Sequence, residues 1–286
     1  MVTVTILVAA PCDSHGYPYL DGWIEAARAQ GEPFEFLIAD ARIDSSQALP
    51  PGMRRIAIPG GSMQGLIDEG MRQARGEWVL LTEDHCRPLP GVFEAYWRAM
   101  RDRPDADLFA GGVENLTSTG SWSFANFLAG LYHVWPHARH TPADASNANL
   151  LVRRSAIVLE EIAIDGGFLA RTIPRLIDEK RHAGCPDARV DHIVHVSGPL
   201  YGMRIEHRIV TASMLSRRQV LARRAPVIQL LRDLAAIPYY VVVSPWLIAR
   251  HLRGTPQYSL ATVFRLAVLG IAIGIVPLQV DLKRWF

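Results

Sequence analysis

Glu83, Asp84 and His85 stand together where an apolar run, Trp78 to Leu81, gives way to polar residues and then to Pro88 and Pro90. Such side chains bind cations. Carboxylate oxygens suit hard ions such as Mg²⁺, and an imidazole nitrogen moves the preference toward Mn²⁺ or another transition metal. The short apolar run reads as a strand covered on both faces, and the prolines, which lack an amide donor, bar its continuation. The three polar groups therefore fall at the carboxyl end of a buried strand, where open α/β sheets bind their ligands. Alternation along an extended segment puts Glu83 and His85 on one side and Asp84 on the other. Glu83 and His85 are thus the expected cation ligands, unless the three residues form only a solvated loop.

The flanking segments supply elements that would position such a site. Val2 to Ala10, rich in β-branched and apolar residues, reads as the first strand, and Gly22 to Gln30 as the first helix. Phe34 to Ala39 reads as a second strand ending at Asp40, which either meets a ligand or caps a turn. Pro59-Gly60-Gly61-Ser62 opens a helix running to about Arg75, with Ser62 as its cap. A glycine-rich helix start accepts phosphate in some proteins and is a plain turn in many more.

From Val2 to about Arg218 the chain resembles the family 2 glycosyltransferases, enzymes of the GT-A fold that use a nucleotide-activated sugar. In that family a phrase like Ala-x-Gly-Glu ends a helix, a strand follows, and an Asp-x-Asp motif comes next with a proline a few residues on. Ala74-Arg75-Gly76-Glu77 and Pro88 occupy those places, and the motif reads Glu83-Asp84-His85. The segment from Ser146 to Ala156 is similar to the family phrase before the acceptor helix. The resemblance implies a mostly parallel, Rossmann-like central sheet with flanking helices, a divalent metal (Mn²⁺ or Mg²⁺) at Glu83 and His85, and a nucleotide-sugar donor near Asp40 and Asp84, with Arg153 and Arg154 either facing its phosphate or only capping a helix at the surface. It also implies a general base after the Arg153-Arg154-Ser155-Ala156 phrase, for which Asp165, before a Gly-Gly turn, comes first and Glu161 second. His192 and His195 lie where related enzymes sometimes supply another metal ligand, although a structural histidine is the commoner outcome at a strand end.

Composition adds partners. Cys12, Cys86 and Cys185 form no Cys-x-x-Cys pair, so neither a disulfide framework nor a structural zinc site is indicated. The start of the chain lacks a signal-peptide pattern, and no nucleic-acid partner is expected. Residues 201–286 hold 12 basic and 3 acidic residues, a net +9, which leaves 18 basic and 25 acidic residues, a net −7, in the first 200. Arg217, Arg218, Arg223 and Arg224 precede two uncharged stretches, Leu234 to Ala249 and Leu266 to Val280, each short of the ~20 residues of a spanning helix. Pro238 and Pro245 interrupt the first stretch, and Gly270, Gly274 and Pro277 loosen the second. Basic residues beside apolar helices with interfacial aromatics fit an anionic membrane surface, while two buried helices of a core or subunit interface, or a hairpin across the bilayer, fit the same pattern. Ser121 to His140, rich in aromatics, fits either core packing or an acceptor site.

The sequence therefore predicts an α/β GT-A-like domain over residues 1–218 and a basic tail of apolar helices over 219–286. The expected function is transfer of a sugar from a nucleotide-diphosphate donor to a lipid-linked or membrane-proximal acceptor at the cytoplasmic face of the membrane, with the tail open to oligomer formation. The alternative is a catalytically weak, membrane-tethered binding protein of the same fold. A nucleotidyltransferase ranks third.

Overall fold

The computed structural model describes residues 3–11, 16–42, 48–117, 121–131, 134–136, 145–162, 167–194, 196–200, 202, 235, 238–253 and 259–285, of which 161, 162, 251, 272 and 274–285 are described by backbone alone. Eight strands form one sheet: β1 (Val4–Ala10), β2 (Phe34–Asp40), β3 (Met53–Ala57), β4 (Trp78–Glu83), β5 (Cys86–Pro88), β6 (Leu108–Glu114), β7 (Asn149–Arg153) and β8 (His182–His192). Their order is β3-β2-β1-β4-β7-β6-β8-β5. The β3-β2-β1-β4 half is parallel, as is the β6 pairing with β8, whereas β7 runs antiparallel to β4 and β6, and β5 antiparallel to β8. The sheet is thus mixed, with its parallel half at one side.

Burial explains the strands that the sequence announces. Every residue of β1 and β4 is buried, as parallel strands covered on both faces require. Helix α1 (Leu20–Arg28) buries Leu20, Trp23, Ile24 and Ala27, a stripe at helical spacing. Helix α2 (Met63–Gln73) starts at Ser62, whose Oγ accepts from the Gly65 amide at 3.1 Å. It buries Leu66, Ile67 and Met71 in a core with Leu7, Leu37, Val79, Leu81 and Leu150.

After α2 the chain turns into β4 through Gly76, whose amide donates to Thr5 Oγ1 at 2.8 Å. A Cβ there would overlap the Thr5 amide nitrogen and stand 2.7 Å from the Trp78 carbonyl oxygen. This close passage is the physical content of the Ala-x-Gly-Glu phrase. At its other end β4 stops in a turn at Asp84 and His85, not at the prolines, and Pro88 lies within β5. Helix α3 (Val92–Asp102) follows, then β6, β7, the short helix α5 (Leu159–Ile162), a π-helical segment Phe168–Thr172, helix α6 (Ile173–Asp178) and β8.

The chain divides into two compact units, Met1–Glu114 with His133–Ile193, and Asn115–Tyr132 with Val194–Phe286. In the second, helix α4 (Trp122–Leu131) packs on the C-terminal helix α8 (Leu260–Trp285). Within the second unit Arg265 lies over the Trp122 ring at 5.5 Å, and Leu266, Leu269 and Ile273 are buried. Phe124 and Phe127 of α4 are buried too, so this part of the aromatic-rich segment is packing. Residues Tyr239–Val243 form a π-helical turn leading into α7 (Ser244–Leu252), with Pro238 just before the turn and Pro245 in the first turn of α7, so the helical run continues past Pro245. Helix α8 runs unbroken through Gly270 and Pro277. Gly270 admits the Tyr240 carbonyl, which a Cβ would overlap. No helix among the described residues is long and apolar enough to cross a membrane.

Candidate metal centre

The order of the sheet reverses at β1, which has β2 on one side and β4 on the other. Ala9 pairs with Glu83 and Ala10 with Asp40, so both carboxylates flank the carboxyl end of β1, at the switch point where such sheets bind ligands. The neighbouring strand spacing sets their backbones about 10 Å apart. The turn at Asp84 and His85 is held by the Asp84 amide, which donates to the Ala9 carbonyl at 3.2 Å. It returns the chain as β5, whose Cys86 pairs directly with His192 at the end of β8. Directly opposed residues of an antiparallel pair share a face, so this short ladder delivers His192 and Cys86 to Glu83 and His85.

Three donor atoms converge there. His85 Nε2 lies 2.8 Å from Glu83 Oε2 and 2.9 Å from His192 Nε2, and His192 Nε2 lies 3.3 Å from the same Glu83 oxygen. One hydrogen on one nitrogen cannot bridge all three edges, whereas a cation among the lone pairs satisfies them together. The edges resemble the ~3.3 Å edge of a tetrahedron with metal–ligand bonds of about 2.0–2.1 Å. Supporting bonds orient the donors. His85 Nδ1 meets Asp84 Oδ1 at 2.9 Å, an arrangement that puts the hydrogen on Nδ1 and turns the Nε2 lone pair inward. Asn147 Nδ2 donates a short hydrogen bond to Glu83 Oε1, leaving Oε2 for the centre. Asp84 is therefore a support of His85. The expected alternation of side chains fails because the backbone turns at Asp84.

The electrostatics agree. Burial opposes charge on Glu83, but the neighbouring His85 and His192 hold its carboxyl well below the usual range. Burial opposes charge on His85 too, yet Glu83, together with hydrogen bonds to Asp84 and Glu83, carries it up to about 10. Burial first, and then the charge of His85, depress His192. Without an ion the proton on His85 thus balances Glu83, and a bound cation would take its place. Glu83, Asp84 and His192 are nearly enclosed, with His85 27% exposed at the mouth. The donors present fit a divalent transition ion.

Asp40 sits in a second cluster. Its side chain has no exposed surface and accepts from Tyr17 Oη at 2.6 Å, from Arg42 Nε at 3.0 Å and from Arg42 Nη2 at 2.9 Å, with Arg55 Nε at 3.7 Å. The Arg42 amide also donates to Oδ1 at 3.0 Å, which is the turn cap. The guanidinium carbons of Arg42 and Arg55 lie 4.5 and 5.9 Å from the centroid of the Tyr17 ring. Burial raises the Asp40 pKa, but the hydrogen bonds from Arg42 and Tyr17 lower it more. Burial and the hydrogen bond to Asp40 push the Tyr17 hydroxyl up to about 12. Asp40 thus holds a cationic, aromatic group at the strand edge.

Other expected site residues are placed elsewhere or lie outside the description. Arg153 pairs with Trp78 at the opposite end of β4, roughly 15 Å of strand from Glu83. It is engaged by Asp107 at 2.7 Å, by Glu77 at 3.1 Å and by the Trp78 ring, 4.3 Å from its guanidinium carbon. These contacts make Arg153 a clamp at that end of the sheet. Asp165, His195, the side chain of Glu161 and the cluster Arg217, Arg218, Arg223 and Arg224 lie outside the described residues. Sequence reasoning passed over Asn147 and Cys86, and over Tyr17, Arg42 and Arg55. The only signal for Asn147 was its place in the Ser146 to Ala156 phrase.

No family model and no curated protein sequence matches the chain. Solved structures do. The mannosyltransferase PcManGT from Pyrobaculum calidifontis, in complex with GDP-Man and Mn²⁺, aligns over 98% of this chain and 87% of its own, with 14% identity and a TM-score of 0.53. Mannosyl-3-phosphoglycerate synthase from Rubrobacter xylanophilus aligns over 78% and 76%, with 14% identity and a TM-score of 0.48. Glucosyl-3-phosphoglycerate synthase from Mycobacterium tuberculosis, in complex with Mn²⁺, UDP-Glc and glycerol 3-phosphate, aligns over 73% and 79%, with 12% identity and a TM-score of 0.46. The likeness to the mannosyltransferase shows a mixed α/β fold of the GT-A glycosyltransferase type.

Proposed function

We propose that this chain transfers a sugar from a nucleotide-diphosphate donor to a lipid-linked or otherwise membrane-proximal acceptor, with a divalent cation held by Glu83, His85 and His192. The observation that carries the reading is the convergence of these three donors at the carboxyl end of β4, in a fold like that of a mannosyltransferase that binds GDP-Man and Mn²⁺. Such an ion, when bound, neutralises charge that develops on a departing diphosphate. Asp84 and Asn147 keep the donors aimed. Asp40 pins Arg42 beside the Tyr17 ring, presenting positive charge and a planar face to an anionic, aromatic nucleotide. The general base that takes the acceptor's hydroxyl proton is assigned, from the family resemblance, to Asp165 or Glu161.

A membrane-facing acceptor is supported by the second unit. Val242, Trp246, Leu260 and Phe264 are 62%, 56%, 74% and 67% exposed, large apolar side chains that favour a cover. Arg250 lies over Trp246 at 5.7 Å, and residues 201–286 carry a net +9. Anionic lipid matches that combination, at the cytoplasmic face if the chain stays there.

Calorimetric titration of the full chain with UDP- and GDP-sugars, with and without Mn²⁺, Mg²⁺ or Zn²⁺, tests the reading. Cation-dependent binding of at least one donor is expected. Absence of binding with every donor and ion sinks it and favours the binding-protein alternative.

A further inference from the structure

The donor set at the end of β4 is wider than its three convergent atoms. Cys86 is fully buried, and one ligand atom from each of Glu83, His85, Cys86 and His192 lies within 4.8 Å of every other. Its spacing along the chain conceals this, because the partner cysteine of a zinc motif is absent and two histidines and a carboxylate stand in. We propose that the centre is a four-donor site in which Cys86 Sγ joins Glu83 Oε2, His85 Nε2 and His192 Nε2, selecting a borderline-soft ion of the zinc class over Mg²⁺ and Mn²⁺. The inference rests on the reading of this cluster as a cation site and deepens it by naming the ion.

Three observations support the choice. Two imidazoles and a thiol are ligands for zinc-like ions, whereas Mg²⁺ calls for octahedral oxygen and keeps several waters. The cluster offers little room for those waters, since Cys86 is fully buried and Glu83 and His192 are nearly enclosed, with only His85 opening to solvent. Its supports are those of a built site. Besides Asp84 on His85 and Asn147 on Glu83, Trp23 Nε1 donates to the Cys86 carbonyl at 2.9 Å and fixes β5 beneath α1. Coordination balances simply. The Cys86 S–H bond and the His85 Nε2–H bond break, S–metal and N–metal bonds form, and two protons leave to solvent.

The experiment uses the full chain, stripped of metal by chelation and titrated with Zn²⁺, Co²⁺, Mn²⁺ or Mg²⁺ alone, without nucleotide. One equivalent of Zn²⁺ or Co²⁺ should bind on the order of 100-fold more tightly than Mn²⁺, with Mg²⁺ weaker still. The cobalt form should show a near-ultraviolet sulfur-to-cobalt charge-transfer band. Cys86→Ser should abolish that band, keep the visible cobalt bands of the remaining ligands and weaken Zn²⁺ binding about tenfold or more. A wild-type cobalt spectrum without the band overturns the thiolate ligand, whether or not the serine variant folds. Equal affinity for Mn²⁺ and Zn²⁺ overturns the selectivity. Tight Zn²⁺ binding with no donor sugar bound would remove the transferase reading and leave this one standing. Donor binding that needs Mn²⁺, with no site for metal alone, would do the reverse.

Discussion

Asp40 and Asn147 act through the groups they hold. Asp40 carries its charge fully enclosed between Tyr17 and Arg42, so Asp40→Asn should cost about 2–3 kcal/mol at pH 7, the scale of hydrogen bonds to charged groups. Its folded pKa is depressed, so this contribution is fully present above the ordinary aspartate value of about 3.9 and fades as pH falls through the lower folded value. Urea unfolding of both proteins should show a gap that is constant from pH 5 to 7 and closes on acidification. A gap that widens in acid would reverse the assigned shift. Asn147→Ala should leave Glu83 Oε1 without its donor and lower metal affinity by about 10- to 100-fold, the usual effect of losing a residue that orients a ligand. Unchanged affinity by calorimetry would make Asn147 a bystander. Glu83 and His85 were legible because they are near neighbours at the end of an apolar run. His192 becomes a donor only through the β5–β8 ladder, 107 residues along the chain from His85. Asn147 reaches Glu83 from the residues leading into β7, which lies antiparallel beside β4. Neither relation leaves a local pattern.

The strands of the parallel half that bury both faces announced themselves, and the irregular strands β5 and β8 at the far side of the sheet did not. β1, β2 and β4 read as continuous apolar runs, and α2 displayed its cap and stripe together. β5 has three residues and a proline, while β8 contains Gly184 and Pro186 and alternates irregularly around a register shift opposite Gly111 and Gly112. Their strand character comes from pairing, not from propensity. Two substitutions separate local from tertiary contributions. Ser62→Ala removes the oxygen that accepts from Gly65 and should cost about 1 kcal/mol. Gly76→Ala drives a Cβ against the Thr5 and Trp78 backbones, which cannot yield by rotating a side chain, so its cost should exceed the ~1–3 kcal/mol of ordinary overpacking. Denaturant midpoints should therefore fall much further for Gly76→Ala. A smaller loss than for Ser62→Ala would mean that β1 and β4 can separate there without penalty.

At the scale of the whole molecule, the C-terminal helices show, among the described residues, both packed and exposed apolar side chains. The inward face of α8 meets α4, with Leu266, Leu269 and Ile273 buried, while Leu260 and Phe264 point outward. The outward side of Tyr239–Leu252 shows Tyr239, Val242, Val243 and Trp246 at helical spacing. Removing residues 226–286 would strip α4 of the helix it packs on, so truncation should give aggregation and cannot by itself report on lipid. Substitutions on the outward face can. Trp246→Ser with Phe264→Ser should leave the melting temperature within a few degrees, because both side chains are already mostly exposed, a position where changes are usually within about 0.5 kcal/mol. Each residue buried in the lipid interface is worth about 1.5–3 kcal/mol at full burial, so the double variant should bind anionic vesicles at least about tenfold more weakly. Salt should weaken the wild type on anionic vesicles and leave neutral ones nearly unaffected, since headgroup attraction to the basic tail is screened over about 10 Å at 0.1 M. If the wild type ignores vesicles of both kinds and the double variant instead shifts a dimer toward monomer in sedimentation, the outward face is a subunit interface and the membrane assignment fails.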